Sequence, residues 1–384
     1  MNSNEFLNYF QSRTTETLRF IQALCEIETP SADETGSRAV VARLIEEVAK
    51  LKAVDSIEKI AATGYGEHLI IRAFSERSEK PILLLGHTDT VHPRGSLRAR
   101  PFKIENERAY APGIFDMKAG AALMIEALRA FDELNLTPLR PVVILLSCDE
   151  EIGSPTGRSI VEREAALAAV CLVCEPSAPG GAAKTGRKGT ANYVLRAHGV
   201  AAHAGLEPER GASAILEIAR QIPAIHALEN PAIGTTINVC TVTGGTATNV
   251  IPAAAECTID VRFTTMAEAN RVDREIKQIR NLNSRVNLSV DGDINRPPLE
   301  RTEKVKDFFQ IAQQTAKSFD YPLAETTVGG ASDGNFVAAL GVPVLDGLGV
   351  QGDGAHTDHE YILIADVPKR ATLITKLLLD LSTF

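Results

Sequence analysis

The sequence predicts an α/β protein: a mostly parallel sheet with helices on both faces, interrupted by a smaller inserted α+β domain. Three observations carry this. Short apolar runs ("HLIIRAF", "PILLLG", "VVILLS", "AVCLVC" and the late "VPVLDGLG") recur between stretches of helical periodicity, and strands alternating with helices build parallel sheets covered on both sides. Between 187 and 296 the order changes to strand, helix, strand, strand, helix, strand, the split βαβ arrangement of ferredoxin-like domains. The α/β pattern resumes near Leu299, after "NRPP". The expected division is therefore 1–186 with 297–384 as one domain and 187–296 as the insert.

The elements follow in order. Residues 4–27 and 34–51 place apolar side chains at helical spacing, and "TPSADETGS" breaks between them with Pro, Gly and capping residues. "PILLLG" is a short apolar run bounded by Pro81 and Gly86, which reads as a buried strand. "GAALMIEALRAFDEL" and "KVKDFFQIAQQTAKSF" are the clearest helices of the larger domain. In the insert, "TANYVLRAHG", "TTINVCTVTGG", "AAAECTIDVRF" and "RVNLSVDG" read as strands. "GASAILEIARQIPAI" and "MAEANRVDREIKQIRNL" read as its helices.

Composition excludes several classes. A net charge of −9 without a Lys/Arg block argues against nucleic acid, and an anionic small substrate would need locally placed Arg or Lys. The start "MNSNEFLNYFQSRTTETLRF" lacks a basic segment followed by an apolar one, so no signal peptide is expected, and no apolar run suggests a membrane span. The six cysteines include several inside apolar strand runs, as buried free thiols of a reducing cytoplasm would be. Cys171 and Cys174 have Cys-x-x-Cys spacing but no second pair, and on a strand they face opposite sides.

Carboxylates and histidines gather at element ends. "PILLLGHTDTVHP" leaves its strand into His87, Asp89 and His92. A metal-binding His usually needs a carboxylate to hold its ring; a polar turn is the plainer alternative. "VVILLSCDEEIGS" leads to Asp149, Glu150 and Glu151, "AVCLVCEPS" to Glu175, and "VPVLDGLGVQGDGAHTDHE" to His356, while Asp116 precedes a helix whose first turn is small. In open α/β sheets, ligands bind at the carboxyl ends of strands. Two close metal ions need one bridging carboxylate, further His or carboxylate ligands, an open position for water, and a carboxylate kept off the metals as general base. His87, Asp116, Glu151, Glu175 and His356 can supply the five ligands, leaving Glu150 as base. Adjacent residues of an extended segment point opposite ways, so Glu150 and Glu151 can differ in role.

The motifs "GHTDTV", "APGIFDMKAG", "CDEEIGS", "CEP", "AAHAG", "TNVIP" with "DVR", "GGASDGN" and "GDGAHTDHEY" run in order over nearly the whole chain. In these the sequence resembles the two-zinc hydrolases that include acetylornithine deacetylase, succinyl-diaminopimelate desuccinylase, aminoacylase and glutamate carboxypeptidase, and glutamate carboxypeptidases most. The resemblance implies two divalent ions per chain, zinc before cobalt or manganese. It implies His87 and Glu175 on one ion, Glu151 and His356 on the other, and Asp116 between them. Asp89 would orient His87, Glu150 would move the proton, and His203 would meet the scissile carbonyl oxygen. Asn249 and Arg262 would hold substrate, Arg262 through a carboxylate. Arg296 is a second anion contact or a hinge residue, and Lys184 is a weaker candidate of the same kind.

The implied reaction is hydrolysis of an amide beside a free carboxylate, first as a carboxypeptidase releasing C-terminal glutamate or a similar residue. An N-acyl amino acid deacylase, a di- or tripeptidase and an inactive zinc-binding protein are the alternatives. The substrate would be a small peptide or N-acyl amino acid. The insert would serve as lid and as the contact of a cytoplasmic homodimer. His68, His92, His198 and His226 are read as surface or structural, Asp149 as structural, and Cys148 and Cys174 as core thiols. His359 rivals His356 by position, and the spacing to Glu360 favours His356.

Overall fold

The computed structural model describes residues 2–381. The chain forms two compact units, Met1–Gly186 with Arg301–Val328 and Ser332–Phe384, and Arg187–Glu300 with Gly329–Ala331. No helix among the described residues is long and apolar enough to cross a membrane.

In the first unit the central sheet has the order Val54–Ala62, Gly66–Ala73, Val142–Ser147, Ile82–His87, Val170–Val173, Val344–Leu345. The two edge pairings on the Val54–Ala62 side are antiparallel and the other three parallel. Every residue of Ile82–His87 and Val142–Ser147 is buried, because helices cover both faces of a parallel sheet and its strands become continuous apolar runs. Ala119–Glu133 is the most enclosed helix, with twelve of its fifteen residues buried.

The Val54–Ala62 strand escapes sequence reading. Its edge position leaves it largely exposed, so its apolar residues are too sparse to announce it. "VPVLDGLG" contributes only Val344–Leu345 to the sheet, because the backbone of Asp346 exchanges its hydrogen bonds with Lys184 instead, at 2.7 and 3.1 Å. A small antiparallel sheet of Lys103–Glu105, Arg108–Tyr110, Tyr361–Leu363 and Gly352–Asp353 is also absent from the sequence pattern. It matters because Gly352 pairs with Ile362 and Asp353 with Tyr361, making 354–360 the tip of a hairpin that presents His356.

The second unit is a four-stranded antiparallel sheet ordered Thr236–Gly244, Ala254–Phe263, Gly189–His198, Asn287–Arg296, with Ala214–His226 and Met266–Lys277 as its helices. Along Ala254–Phe263 buried residues alternate with partly exposed ones, the signature of a sheet with one covered face. The predicted fold class is thus observed: a mainly parallel α/β sheet plus a ferredoxin-like α+β unit.

Candidate metal centre

The parallel strands end on one edge, and the side chains gather there. His87 closes its own strand, Glu150 and Glu151 occupy a 3-10 turn three residues past Ser147, and Glu175 lies two past Val173. Asp116 comes from the loop before Ala119–Glu133, and the Asp116–Met117 peptide is cis. The small first turn of that helix has a steric reason. A Cβ on Gly120 would lie 1.9 Å from the carbonyl oxygen of Cys174, the neighbour of Glu175.

Two sets of donors meet at the Asp116 carboxylate. His87 Nε2 lies 3.2 Å from Asp116 Oδ1 and 3.3 Å from Glu175 Oε1. His356 Nε2 lies 3.3 Å from Asp116 Oδ2 and 3.1 Å from Glu151 Oε2. Ligand atoms of His87, Glu150 and Glu175 lie within 4.8 Å of one another, as do those of His87, Asp116 and Glu151. His356 reaches this cluster with a backbone φ of 64°, a region few side chains adopt. The exposed His359 turns instead to Thr357 Oγ1, at 3.1 Å.

The electrostatics ask for a cation. Burial opposes charge on His87, yet hydrogen bonds to Asp116, Asp89 and Glu175 raise its pKa well above the usual value. Hydrogen bonds to Asp116 and Glu151 push His356 up to about 10. Burial alone would raise Asp116, but the two histidines hold it far below the carboxylate range. Burial raises Glu151, and its Oε1 is buried without a hydrogen-bond partner among the described residues. A group of buried carboxylates that draws protons onto both histidines, and leaves one oxygen orphaned, fits divalent ions at these positions.

Asp89 does more than sequence reasoning gave it. His87 Nδ1 donates to the Asp89 backbone carbonyl at 2.9 Å and lies 3.4 Å from its carboxylate, which leaves Nε2 toward the cluster. The carboxylate itself accepts from the backbone N–H groups of Glu150 at 3.1 Å and Glu151 at 3.2 Å, and from Ser31 Oγ at 2.7 Å. Ser31 was missed because it lies in the N-terminal break, far along the chain. Asp333, quoted only within "GGASDGN", was also missed. It accepts from Ser147 Oγ at 2.9 Å and from Ser154 Oγ, clasping both ends of the Glu150 loop.

The plainer readings have places too. His68 is buried against Thr156 and Cys148, and His92 against Glu360. His198 and His226 lie on the second unit, His226 beside the Ile237 carbonyl. Asp149 is buried and accepts from Thr156 and Gly157. Cys148 and Cys174 are buried free thiols, whereas Cys240 is exposed.

The remaining candidates other than Lys184 belong to the second unit. Ala202–His203 pairs with Val250–Ile251, and Ala204 N donates to Asn249 O at 2.9 Å. That brings His203 and Asn249 together. Arg262 and Arg296 both lie opposite Thr190, one on each flanking strand. Arg262 pairs with Asp260 at 2.9 Å, and Arg296 is buried. Lys184 lies in the first unit and is also buried.

Residues 83–380 match peptidase family M20/M25/M40. The chain belongs to that family. It is 30% identical over 384 residues to carboxypeptidase G2 of Pseudomonas sp. (strain RS-16), covering 97% of this chain and 91% of that protein. It is 29% identical over 334 residues to succinyl-diaminopimelate desuccinylase of Halorhodospira halophila (strain DSM 244 / SL1), covering 81% and 87%. Its fold is that of the aminopeptidase PepT structure from Bacillus cereus ATCC 10987, with a TM-score of 0.79 and 22% identity over 96% of this chain and 99% of that one. This M20-family chain is a metal-dependent peptidase.

Proposed function

We propose that this peptidase binds two zinc ions and hydrolyses an amide beside a free carboxylate, releasing C-terminal glutamate or a similar amino acid. The observation that carries the reading is the split use of Asp116, one oxygen toward His87 and the other toward His356. His87 and Glu175 would hold one ion, Glu151 and His356 the other, with Asp116 between. When bound, such ions polarise a carbonyl and lower the pKa of water toward ~7.

The chain's own residues do the rest. Glu150 takes the water's proton and returns it to the leaving amine. Asp89 holds Glu150 by its backbone N–H and His87 by its ring, so base and ligand keep a common frame. His203 donates to the carbonyl oxygen as charge develops there, and Asn249 holds the substrate backbone. Arg262 pairs with the α-carboxylate bidentately, and Arg296, in the same row of the sheet, accepts an acidic side chain. The inserted unit acts as a lid and joins two chains in a cytoplasmic homodimer, in which His203 of one chain serves the other's metals.

The similarity to carboxypeptidase G2 and the paired arginines favour the carboxypeptidase reading. The similarity to a desuccinylase keeps N-acyl amino acid deacylation as the second. Assaying the zinc-loaded protein on folyl-glutamates, N-acyl amino acids and dipeptides separates them. Turnover confined to N-acyl amino acids, or to dipeptides, would overturn the first reading.

A further inference from the structure

Glu360 accepts four hydrogen bonds, three of them from backbone N–H groups. It is 2% exposed. Its Oε1 accepts from the backbone N–H groups of Phe115 at 2.8 Å and Asp116 at 2.9 Å. Its Oε2 accepts from Gly113 N at 2.7 Å and from His92 Nε2 at 2.6 Å. It sits four residues after His356, where the hairpin enters the Tyr361–Leu363 strand. One carboxylate therefore joins the loop that carries Asp116 to the loop that carries His356.

The two halves of the metal centre differ in what sets their spacing. His87 sits in the ladder of the central sheet, opposite Ser147, and Glu175 follows a strand of the same sheet. Asp116 and His356 are both on loops, so no sheet ladder fixes the separation of Asp116 Oδ2 and His356 Nε2, 3.3 Å. Glu360 is what spans it. Arg100 braces the same hairpin, donating from Nη1 to Thr357 O at 3.1 Å and placing Nη2 3.4 Å from His92 Nδ1. Without the Glu360 carboxylate, three backbone N–H groups beside Asp116 would lose their acceptor inside the protein, a costly loss.

We infer that Glu360, backed by His92, is a positioning residue that sets the span between Asp116 and His356 and so tunes metal affinity on the His356–Glu151 side. This rests on the two-ion reading above. It predicts an asymmetric defect: weakening Glu360 loosens the ion on the His356–Glu151 side more than the ion on the His87–Glu175 side, which shares only Asp116 with it.

The test is zinc titration of the apo full-length chain by calorimetry, together with thermal unfolding of apo and zinc-loaded protein, for wild type, Glu360→Gln, His92→Phe and His92→Gln. Glu360→Gln keeps the size but turns a donor toward backbone N–H groups. One of the two sites should weaken about 10–100-fold, the usual cost of losing a partner behind a ligand, and the other, which shares Asp116, should weaken less. The rise in Tm on zinc loading should shrink more than the apo Tm falls. His92→Phe, which keeps Glu360 itself, should weaken the same site less, and His92→Gln, which restores a donor, should recover most of that loss. His92→Phe carries the test if Glu360→Gln does not fold. Two sites of wild-type affinity in these variants, or equal falls in apo and loaded Tm, would overturn the inference. A wild-type chain that binds fewer than two ions would instead overturn the reading beneath it.

Discussion

His87 and His203 belong to different kinds of surface. His87 is 1% exposed, its Nδ1 bound to a backbone carbonyl and its Nε2 facing two carboxylates. His203 is exposed, and its Nδ1 accepts from the backbone N–H groups of Gly205 and Leu206, at 3.2 and 3.1 Å. The first is held in place by its own chain, as the metal ligand proposed here would need to be. The second lies on a short two-stranded ladder, as would suit the carbonyl-oxygen donor proposed for it. The contrast extends to their neighbours: Asp89 and Glu360 each take several hydrogen bonds from the loops around His87 and Asp116, whereas Arg262 pairs with its local Asp260, which the proposed substrate carboxylate would replace.

The largest expected effect lies in the buried region. Glu150→Gln should keep both ions and lose about 10²–10⁴-fold in kcat, the range of a general base. Glu151→Gln should lower metal occupancy, measured by elemental analysis. Finding those two outcomes exchanged between the variants would reverse the assigned roles.

His203→Ala comes next and should separate the regions. About 10²–10³-fold should be lost from kcat, with metal content and thermal unfolding unchanged. Mixing His203→Ala chains with Glu150→Gln chains should restore activity after subunit exchange, because half the heterodimer's sites would have both groups intact. Exchange without recovery would confine His203 to its own chain or remove it from the mechanism.

The arginines sharpen the picture within the second unit. Arg262→Ala should cost about 10–100-fold in kcat/KM on every substrate, the order of a lost charge-assisted hydrogen bond of ~1.5–3 kcal/mol. Arg296→Ala should cost that only for acidic leaving residues. Equal losses on acidic and neutral leaving residues would leave Arg296 no part in side-chain recognition.

The smallest effect should come from Ser31→Ala, which removes one neutral donor to Asp89. A loss of about 1 kcal/mol is roughly fivefold in kcat, and Ser31→Thr should recover part of it. No change in either variant would show that the two backbone donors suffice to hold Asp89.

Much of this was legible because it is written locally. "PILLLG" and "VVILLS" show their burial in a few consecutive apolar residues, and the residue types after them show what chemistry could follow. The edge strand Val54–Ala62 and the small sheet behind His356 were not legible, since one is mostly exposed and the other is made of pieces two or three residues long. Ser31 and Asp333 act on Asp89 and on the Glu150 loop from 58 and 179 residues away in sequence, and a serine or an aspartate in a polar loop carries no mark of such a partner.

By itself the sequence determined the alternation of strands and helices, the insert's element order and the donors available at strand ends, because periodicity and residue chemistry depend only on near neighbours. The tertiary structure decided which donors meet. It turned His356 rather than His359 toward Asp116, set Arg262 and Arg296 on either side of Thr190, and tied the Asp116 and His356 loops through Glu360. The hydrophobic pattern limits the register of each strand, but which elements meet and how the loops close between them are set by contacts between residues far apart in the chain.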